Sequence, residues 1–389
     1  MVTISPTNEA EIAEAVREAA DKGTCFEIVS GRTKREFGRP VSADTILDVS
    51  ALSGIVKYEP EELVLTARAG TPIAMIESAL AEKKQMLGFE PADWGPLFQA
   101  GTGRATLGGT VATNACGARR VKAGAVRDHV IGCRFVNGKG EAIKAGGHVI
   151  KNVTGFDLSR LMCGAFGTLG VLTEITVRVT PQPERVAAVE IDCGPETGLN
   201  LMREAARLPL DASGLSYVLS DNGGTALIRV EGTNAAVAQK LAELQKQFAN
   251  HETKVQDEGT TQKSFRAVSG ASDFLEIATD IWRLCVPPAN AYDALTACGI
   301  ALGKFWYADW AGGLLWLGLP GDEKTAKCLR EVTARFGGHA TLMRASSQAR
   351  ERLAVFEPET PARAEITRSV KAAFDPKRVL NPARMFKDI

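Results

Sequence analysis

The sequence predicts an α+β fold in two parts. Its 389 residues are more than one ordinary hydrophobic core accommodates, so two domains are expected. Helices and strand-like runs are interspersed along the whole chain. The segment Thr180–Pro183 contains two prolines and forms a stiff break in the chain. We therefore predict a first domain over residues 1–181, a smaller α+β cap domain over 182–345, and a C-terminal helix and tail over 346–389.

The first domain is predicted to begin with a helix. Apolar residues recur at helical spacing across residues 8–20, and Gly23 ends the helix. Three strands are predicted after it: Phe26–Val29, Thr45–Val49 and Leu63–Ala69. Thr71 is expected to cap a second helix that has Pro72 at its first position.

A hairpin is predicted around Asn137-Gly138, a dipeptide typical of tight β-turns, and a further strand over 170–179. Beyond the break, the predicted strands include 185–191, 216–219, 226–231 and 340–344. Predicted helices include 234–250 and 360–374. This order of elements favours an antiparallel sheet in the cap domain.

Composition excludes several classes of protein. Lys plus Arg equals Asp plus Glu at 46 each, so the net charge gives no indication of nucleic-acid or lipid binding. No apolar run approaches the ~20 residues of a membrane helix, and no secretory signal is recognisable. The eight cysteines include no C-x-x-C pair, which argues against an iron–sulfur cluster or zinc site. We expect a cytoplasmic protein without a metal, associated with a membrane only through partners.

Three glycine-rich segments are candidate ligand-binding loops. The first directly follows strand 26–29 and consists of Ser30, Gly31, Arg32, Thr33 and Lys34. Successive backbone N–H groups in such a turn can converge on an anion, and Gly31 would let a pyrophosphate come close. An ordinary basic turn gives the same pattern, so that alternative stays open.

The second segment spans residues 101–117 and contains five glycines. Its spacing fits neither the dinucleotide-binding G-x-G-x-x-G fingerprint nor a phosphate-binding G-K-[ST] loop. Small residues at this density suit a flat or phosphorylated ligand, although a glycine-rich packing loop is the alternative. The third segment, 151–175, contains four glycines and runs into a predicted strand.

Together these segments resemble a known family. TLGGTVATNACG (106–117), VRDHVIG (126–132) and KNVTGFDLSRLMCGAFGTLGVLTEITVRVTP (151–181) are similar in order and spacing to the FAD-binding domain of the vanillyl-alcohol oxidase, or PCMH, type. FGGHATLMRA (336–345) and FDPKRVLNPARMF (374–386) resemble, more narrowly, the FAD-binding E subunits of bacterial glycolate oxidases.

The resemblance implies a fold, a cofactor and partners. The first domain would consist of two subdomains that divide near residue 60, with FAD between them. The chain would act in a complex that oxidises glycolate to glyoxylate, with a homologous FAD-containing subunit and an iron–sulfur subunit as partners. Because residues 30–35 contain no histidine, the FAD is expected to be non-covalent, and Cys116 is expected to be a packing thiol.

The resemblance also implies roles for matched residues. Ser30–Lys34 would form the pyrophosphate loop, and Asn381 and Pro382 would return the tail to the FAD domain. The remaining residues expected along the cofactor are Gly101, Thr106, Gly108, Gly109, Thr113, Asn114, Ala115, Cys116, Gly117, Gly167, Thr168, Leu169, Gly170, Val171 and Ile175.

Catalytic residues are not identified by any motif. Oxidation of a 2-hydroxy acid needs a base for the hydroxyl proton and a cation for the carboxylate, and His339 and Arg344 lie in one strand-like run. A packed or solvated pair is the alternative, and the same holds for His148. Without a histidine cluster, two other functions remain open: an assembly or electron-transfer subunit that holds FAD, and a stand-alone oxidase of another small hydroxy acid.

Overall fold

The computed structural model describes residues 2–147, 156–220, 223–275, 280–299 and 305–389. The chain divides into two compact units. The first unit comprises Met1–Ala115, Ala125–Gln182 and Ala354–Ile389, and the second comprises Cys116–Gly124 and Pro183–Leu353. His148 and the KNVTG part of the third glycine-rich segment lie outside the described residues.

The strands, in chain order, are β1 (Val2–Ile4), β2 (Phe26–Val29), β3 (Thr45–Asp48), β4 (Ile55–Glu59), β5 (Val64–Arg68), β6 (Gln85–Met86), β7 (Val130–Val136), β8 (Ala142–Gly146), β9 (Val171–Arg178), β10 (Thr180–Pro181), β11 (Arg185–Asp192), β12 (Gly214–Ser220), β13 (Gly223–Gly232), β14 (Thr253–Gln256), β15 (Ile281–Cys285), β16 (Trp306–Asp309), β17 (Leu314–Leu317) and β18 (His339–Arg344).

The helices are α1 (Glu9–Lys22), α2 (Ile73–Ala81), α3 (Leu107–Thr113), α4 (Arg120–Ala123), α5 (Val126–His129), α6 (Leu158–Met162), α7 (Pro195–Arg207), α8 (Asn234–Gln247), α9 (Glu258–Gly270), α10 (Ala291–Ala297), α11 (Glu323–Phe336), α12 (Ser347–Arg352) and α13 (Pro361–Phe374). None of the helices in the described ranges is both long and apolar enough to span a membrane.

The first unit contains two main sheets. A three-stranded sheet has the order β1-β3-β2 with parallel pairs, and a five-stranded antiparallel sheet has the order β4-β5-β9-β7-β8. Helix α1 buries Ile12 and Val16 in a core with Phe26 and Leu47, beside the three-stranded sheet. The short β6–β10 pair completes the strands of this unit.

Local sequence signals explain how α1 begins and ends. The Asn8 side chain accepts a hydrogen bond from the Glu11 backbone N–H, and Gly23 closes the helix with a φ of 68°, where a side chain would be strained. The predicted α1, β2, β3, β5 and β9 are confirmed to within two residues at each end. The hairpin is also confirmed: β7 and β8 pair around residues 137–141, where the Asn137 side chain accepts from two backbone N–H groups.

The predicted cap of α2 was wrong. Pro72 itself occupies the position before the helix, and no side chain caps it. The Thr71 hydroxyl instead lies 2.7 Å from the Arg68 carbonyl and accepts a hydrogen bond from the Gly54 backbone at 2.9 Å. These contacts draw Thr71 back toward the preceding turn, so it is not available to the helix.

The second unit is built on one antiparallel sheet with the strand order β14-β11-β13-β12-β16-β17-β15-β18. The predicted antiparallel arrangement is therefore confirmed. Helices α7 and α8 contact β13, and α11 contacts β18 and β15. Helix α12 belongs to this unit, so the chain returns to the first unit at Ala354, later than the predicted 346.

The C-terminal tail is part of the first unit and pairs with β2. The Phe26 N–H donates to the Val379 carbonyl at 2.8 Å, and the Asn381 N–H donates to the Phe26 carbonyl at 3.0 Å. The buried Lys371 ammonium, on α13, donates to the Thr168 and Leu380 carbonyls at 2.7 and 3.0 Å. These bonds hold the tail against both β2 and the third glycine-rich segment.

Candidate cofactor-binding site

An open cavity beside β2 in the first unit has about 560 Å³ of empty space, counted together with the solvent at its mouth. Three separated parts of the chain and the tail contribute to it. The residues that line it are Glu27, Ile28, Val29, Ser30, Gly31, Arg32, Thr33, Lys34, Arg35, Thr106, Gly109, Ala112, Thr113, Phe166, Asn381 and Arg384.

Two arginines of the loop after β2 are occupied by carboxylates. Arg32 is ion-paired with Asp48 at 3.0 Å, and the Arg35 Nε donates to Glu27 at 2.8 Å. Arg32 has a φ of 61°, so the chain turns sharply at this residue. These two side chains therefore fix the shape of the loop, and their charges are largely balanced within it.

Lys34 is different, because its ammonium is buried with little compensation. The residue is 7% exposed, and its hydrogen-bond acceptor among the described residues is Thr33 Oγ1 at 3.5 Å. Burial lowers the pKa of Lys34 to about 8, although the charge of Asp93 acts in the opposite direction. A buried cation with one long hydrogen bond is costly, and a bound anion would relieve that cost. Lys34 is thus well suited to bind a phosphate group.

A second polar group in the cavity wall is unsatisfied. The Ser30 hydroxyl oxygen is buried and has no hydrogen-bond partner among the residues that the structure describes. Buried hydroxyls are almost always hydrogen-bonded, so an exception that faces a cavity suggests a missing polar ligand. Ser30 and Lys34 therefore both match a phosphorylated cofactor.

Gly31 has a structural role that sequence reasoning did not identify. A Cβ at this position would lie 1.7 Å from the Arg104 carbonyl oxygen. The first and second glycine-rich segments therefore touch here, backbone to backbone. The sequence suggested that Gly31 admits a pyrophosphate, but the contact with Arg104 already requires glycine.

The two adjacent glycines of α3 have different surroundings. A Cβ at Gly108 would lie 2.8 Å from the Ala69 carbonyl oxygen, so this glycine is required by packing. A Cβ at Gly109 would approach only Thr106 Oγ1, at 3.3 Å, and Gly109 lines the cavity. With Ala112 and Thr113 it forms a wall of small residues that a ligand can approach closely.

Residues from the tail connect the walls of the cavity. The Asn381 carbonyl oxygen accepts from the Ile28 N–H at 2.8 Å, and its amide donates to the Phe166 carbonyl at 2.7 Å. Arg384 donates to the backbone carbonyls of Lys34 and Arg35. Sequence reasoning placed Asn381 near the FAD domain but missed Arg384, although both belong to the NPAR run that it had singled out.

Other predicted cofactor residues do not line this cavity. Those in the first unit are Gly101, Gly108, Asn114, Ala115, Gly167, Thr168, Leu169, Gly170, Val171 and Ile175. Cys116 and Gly117 belong to the second unit. Gly170 is explained by packing, because a Cβ there would lie 2.6 Å from the Phe135 ring. The roles suggested for these residues stay predictions.

The structure does not bring His339 and Arg344 together. They occupy the two ends of β18, about 17 Å apart at the usual rise per residue. Burial lowers the pKa of Arg344, and the opposing charge comes from Asp280. His339 instead lies opposite Cys285 on β15. Within the described part of the chain, no group of three or more His, Cys, Asp or Glu residues could hold a metal ion.

Comparison with known proteins identifies the family. The family model described as "FAD binding domain" matches residues 1–146, and "FAD linked oxidases, C-terminal domain" matches residues 354–385. The chain is 34% identical over 378 residues to glycolate oxidase subunit GlcE of Escherichia coli (strain K12), covering 97% of each chain. It is 25% identical to a D-lactate dehydrogenase of Archaeoglobus fulgidus, covering 100% of this chain and 92% of that protein.

Solved structures share the fold. The crystal structure of p-cresol methylhydroxylase with substrate bound matches with a TM-score of 0.74 at 15% identity, covering 99% of this chain and 88% of that chain. The 4-ethylphenol oxidase from Gulosibacter chungangensis matches with a TM-score of 0.73 at 14% identity, covering 99% and 89%. The chain therefore belongs to the family of the glycolate oxidase E subunits, within the PCMH-type FAD-linked oxidoreductases, and its cofactor is FAD.

Proposed function

We propose that the chain is the FAD-holding subunit of a complex that oxidises glycolate to glyoxylate and passes the electrons to partner subunits. The observation that carries the proposal is the 34% identity to a glycolate oxidase subunit over 97% of both chains. The similarity to a D-lactate dehydrogenase along the whole chain supports the same class of substrate, a small 2-hydroxy acid.

The cavity beside β2 is the proposed site for the phosphates of FAD. Lys34 would neutralise part of the phosphate charge, and the Ser30 hydroxyl would donate a hydrogen bond. The wall of small residues, Gly109, Ala112 and Thr113, would let the cofactor lie close to the backbone. When bound, FAD supplies the acceptor for the two electrons removed from the substrate.

We propose that this FAD is not covalently attached. The loop of residues 30–35 contains no histidine that could carry a flavin link. Unfolding the purified protein in acid should therefore release all of its flavin into the supernatant. Yellow colour that stays with the precipitated polypeptide would contradict this proposal.

The proposed partners are a homologous FAD-containing subunit and an iron–sulfur subunit. Glycolate oxidase subunit GlcD of Bacillus subtilis is 34% identical to this chain over 145 residues, covering 37% of this chain and 29% of that protein. The absence of paired cysteines in the sequence is consistent with iron–sulfur chemistry on another chain. We place the complex in the cytoplasm, with any membrane association made through its partners.

A second candidate function is a subunit that holds FAD for assembly or electron transfer without oxidising substrate itself. The separation of His339 and Arg344 along β18 favours this alternative, because these two residues cannot jointly hold one small hydroxy acid. A stand-alone oxidase of another hydroxy acid is the third candidate.

One experiment separates a subunit that works only in a complex from a stand-alone oxidase. The purified, FAD-loaded chain is mixed with glycolate or D-lactate without oxygen, alone and with the partner subunits, while the visible flavin spectrum is recorded. Bleaching by glycolate only when partners are present supports the subunit role. Bleaching of the isolated chain indicates independent oxidation. A flavin that stays oxidised in the assembled complex under both substrates would contradict the proposed function.

A further inference from the structure

A cysteine, a histidine and an arginine share one face of the sheet in the second unit. Cys285 is the last residue of β15 and lies directly opposite His339 on the neighbouring β18. Arg283 is two positions before Cys285, so its side chain points to the same face of the sheet. This group lies outside the cofactor cavity of the first unit and has no role in the function proposed above.

Trp310 links this group to a second arginine. The Arg283 guanidinium lies 5.4 Å from the centre of the Trp310 ring, and the Arg120 guanidinium lies 4.5 Å from the same ring. Arg120 also donates to the Cys116 sulfur at 3.7 Å. Two guanidinium groups are therefore held beside one indole, close to the Cys285–His339 pair.

The His339 imidazole hydrogen-bonds to the Cys285 thiol. Burial acts to raise the pKa of Cys285, but this bond and the charges of Arg283 and Arg120 outweigh it and lower the pKa below its ordinary value. At six other cysteines no such groups outweigh burial, and the pKa is raised. These are Cys25, Cys116, Cys133, Cys163, Cys193 and Cys298. Cys285 thus has the environment that favours a thiolate.

The thiol lies in partly exposed surroundings that carry positive charge. Cys285 is partly exposed and His339 is exposed. Among the described residues, Arg120 forms no ion pair with a carboxylate. The acidic group near Arg120 and Cys116 is Asp309, which is buried and accepts hydrogen bonds from Ser216 and the Trp310 N–H at 2.8 Å each. The excess positive charge should attract anions.

We propose that Cys285 is a nucleophilic modification site that reacts with small electrophiles carrying a carboxylate. With iodoacetate as the electrophile, the Cys285 sulfur attacks the methylene carbon and a carbon–sulfur bond forms. The carbon–iodine bond breaks, and iodide leaves with the bonding electron pair. His339 stabilises the attacking thiolate, and Arg283 and Arg120 attract the carboxylate of the reagent.

The test compares iodoacetate with neutral iodoacetamide on the intact, FAD-loaded protein, with labelling of each cysteine followed by peptide mass spectrometry. Cys25 is the internal control, because it is also partly exposed but its sulfur lies 3.4 Å from the Asp44 carboxylate. At neutral pH we expect iodoacetamide to label Cys285 at least about tenfold faster than Cys25. The ratio of the iodoacetate rate to the iodoacetamide rate should be at least about tenfold higher at Cys285 than at Cys25.

Two variants separate the contributions. His339→Gln should slow labelling of Cys285 by both reagents, because the thiolate loses its hydrogen-bond partner. Arg120→Gln should lower the iodoacetate rate more than the iodoacetamide rate. Circular dichroism confirms that each variant is folded. Labelling of wild-type Cys285 no faster than Cys25, or equal reagent ratios at the two cysteines, would overturn the proposal.

Discussion

Replacing Gly109 by valine should remove FAD and leave the protein folded. A Cβ at Gly109 approaches only Thr106 Oγ1, at 3.3 Å, and valine is a somewhat better helix former than glycine. The folding cost should therefore be below about 1 kcal/mol. The added methyl groups, however, would occupy the space beside the wall of small residues in the cavity.

The loss of FAD affinity should be at least about a hundredfold, or roughly 3 kcal/mol, because the ligand would have to withdraw from the backbone of α3. The assay measures flavin bound per chain from the visible absorbance after purification, together with the urea midpoint of the flavin-free protein. Gly194→Val is the matched control, since a Cβ at Gly194 has no neighbour within 4 Å and this residue lies in the second unit.

The two outcomes are clearly separated. Gly194→Val should retain normal flavin content, and Gly109→Val should be folded and nearly colourless. A folded Gly109→Val protein with normal flavin content would show that the cofactor does not approach α3 at this position, and the placement of FAD beside the wall of small residues would be wrong.

Three further predictions follow from the same site. Lys34→Met should weaken FAD binding about tenfold or more but stabilise the flavin-free protein at neutral pH. The pKa of Lys34 is lowered in the folded protein to about 8 from 10.5. The wild-type protein should therefore gain stability relative to Lys34→Met as the pH rises from 8 to 10.5, by on the order of 3 kcal/mol in paired urea titrations. A difference in stability that does not change with pH would contradict the burial argument. Asn381→Leu should cost about 2–4 kcal/mol in urea unfolding, since it leaves the Ile28 N–H and the Phe166 carbonyl without their partner, and a cost below about 1 kcal/mol would contradict this role. Gly31→Ala should greatly reduce the yield of folded protein, because its Cβ would lie 1.7 Å from the Arg104 oxygen, whereas a folded variant with unchanged stability would disprove the contact.

Local signals in the sequence predicted much of the fold. Helix α1 has an N-cap residue, an apolar face and a terminal glycine within one stretch of chain, and each feature acts over a few residues. The β7–β8 hairpin is equally local, because Asn137 organises its own turn. By contrast, β15 was missed: it is only five residues long and is stabilised by pairing with β17 and β18.

The site was only partly predictable for a similar reason. The loop after β2 could be found from its glycine, serine and basic residues, but its shape depends on Arg384, which lies about 350 residues further along the chain. No periodicity connects residues at that separation. The reason for Gly31 was also hidden, since it depends on the approach of Arg104 from another loop.

The grouping of Cys285 with His339 could not be read from the sequence either. These residues meet only because β15 and β18 are neighbours in the sheet. In the sequence, 53 residues lie between Cys285 and His339. His339 and Arg344, in contrast, looked close because they share one strand. An extended strand of that length places its two ends far apart.

The most direct test of the central claim is a titration of the flavin-free chain with FAD, followed by flavin fluorescence and by calorimetry. We expect one FAD to bind per chain, with an affinity that falls in Lys34→Met and is lost in Gly109→Val. Equal binding to wild type and both variants, or no binding of FAD by the folded wild-type chain, would contradict the account.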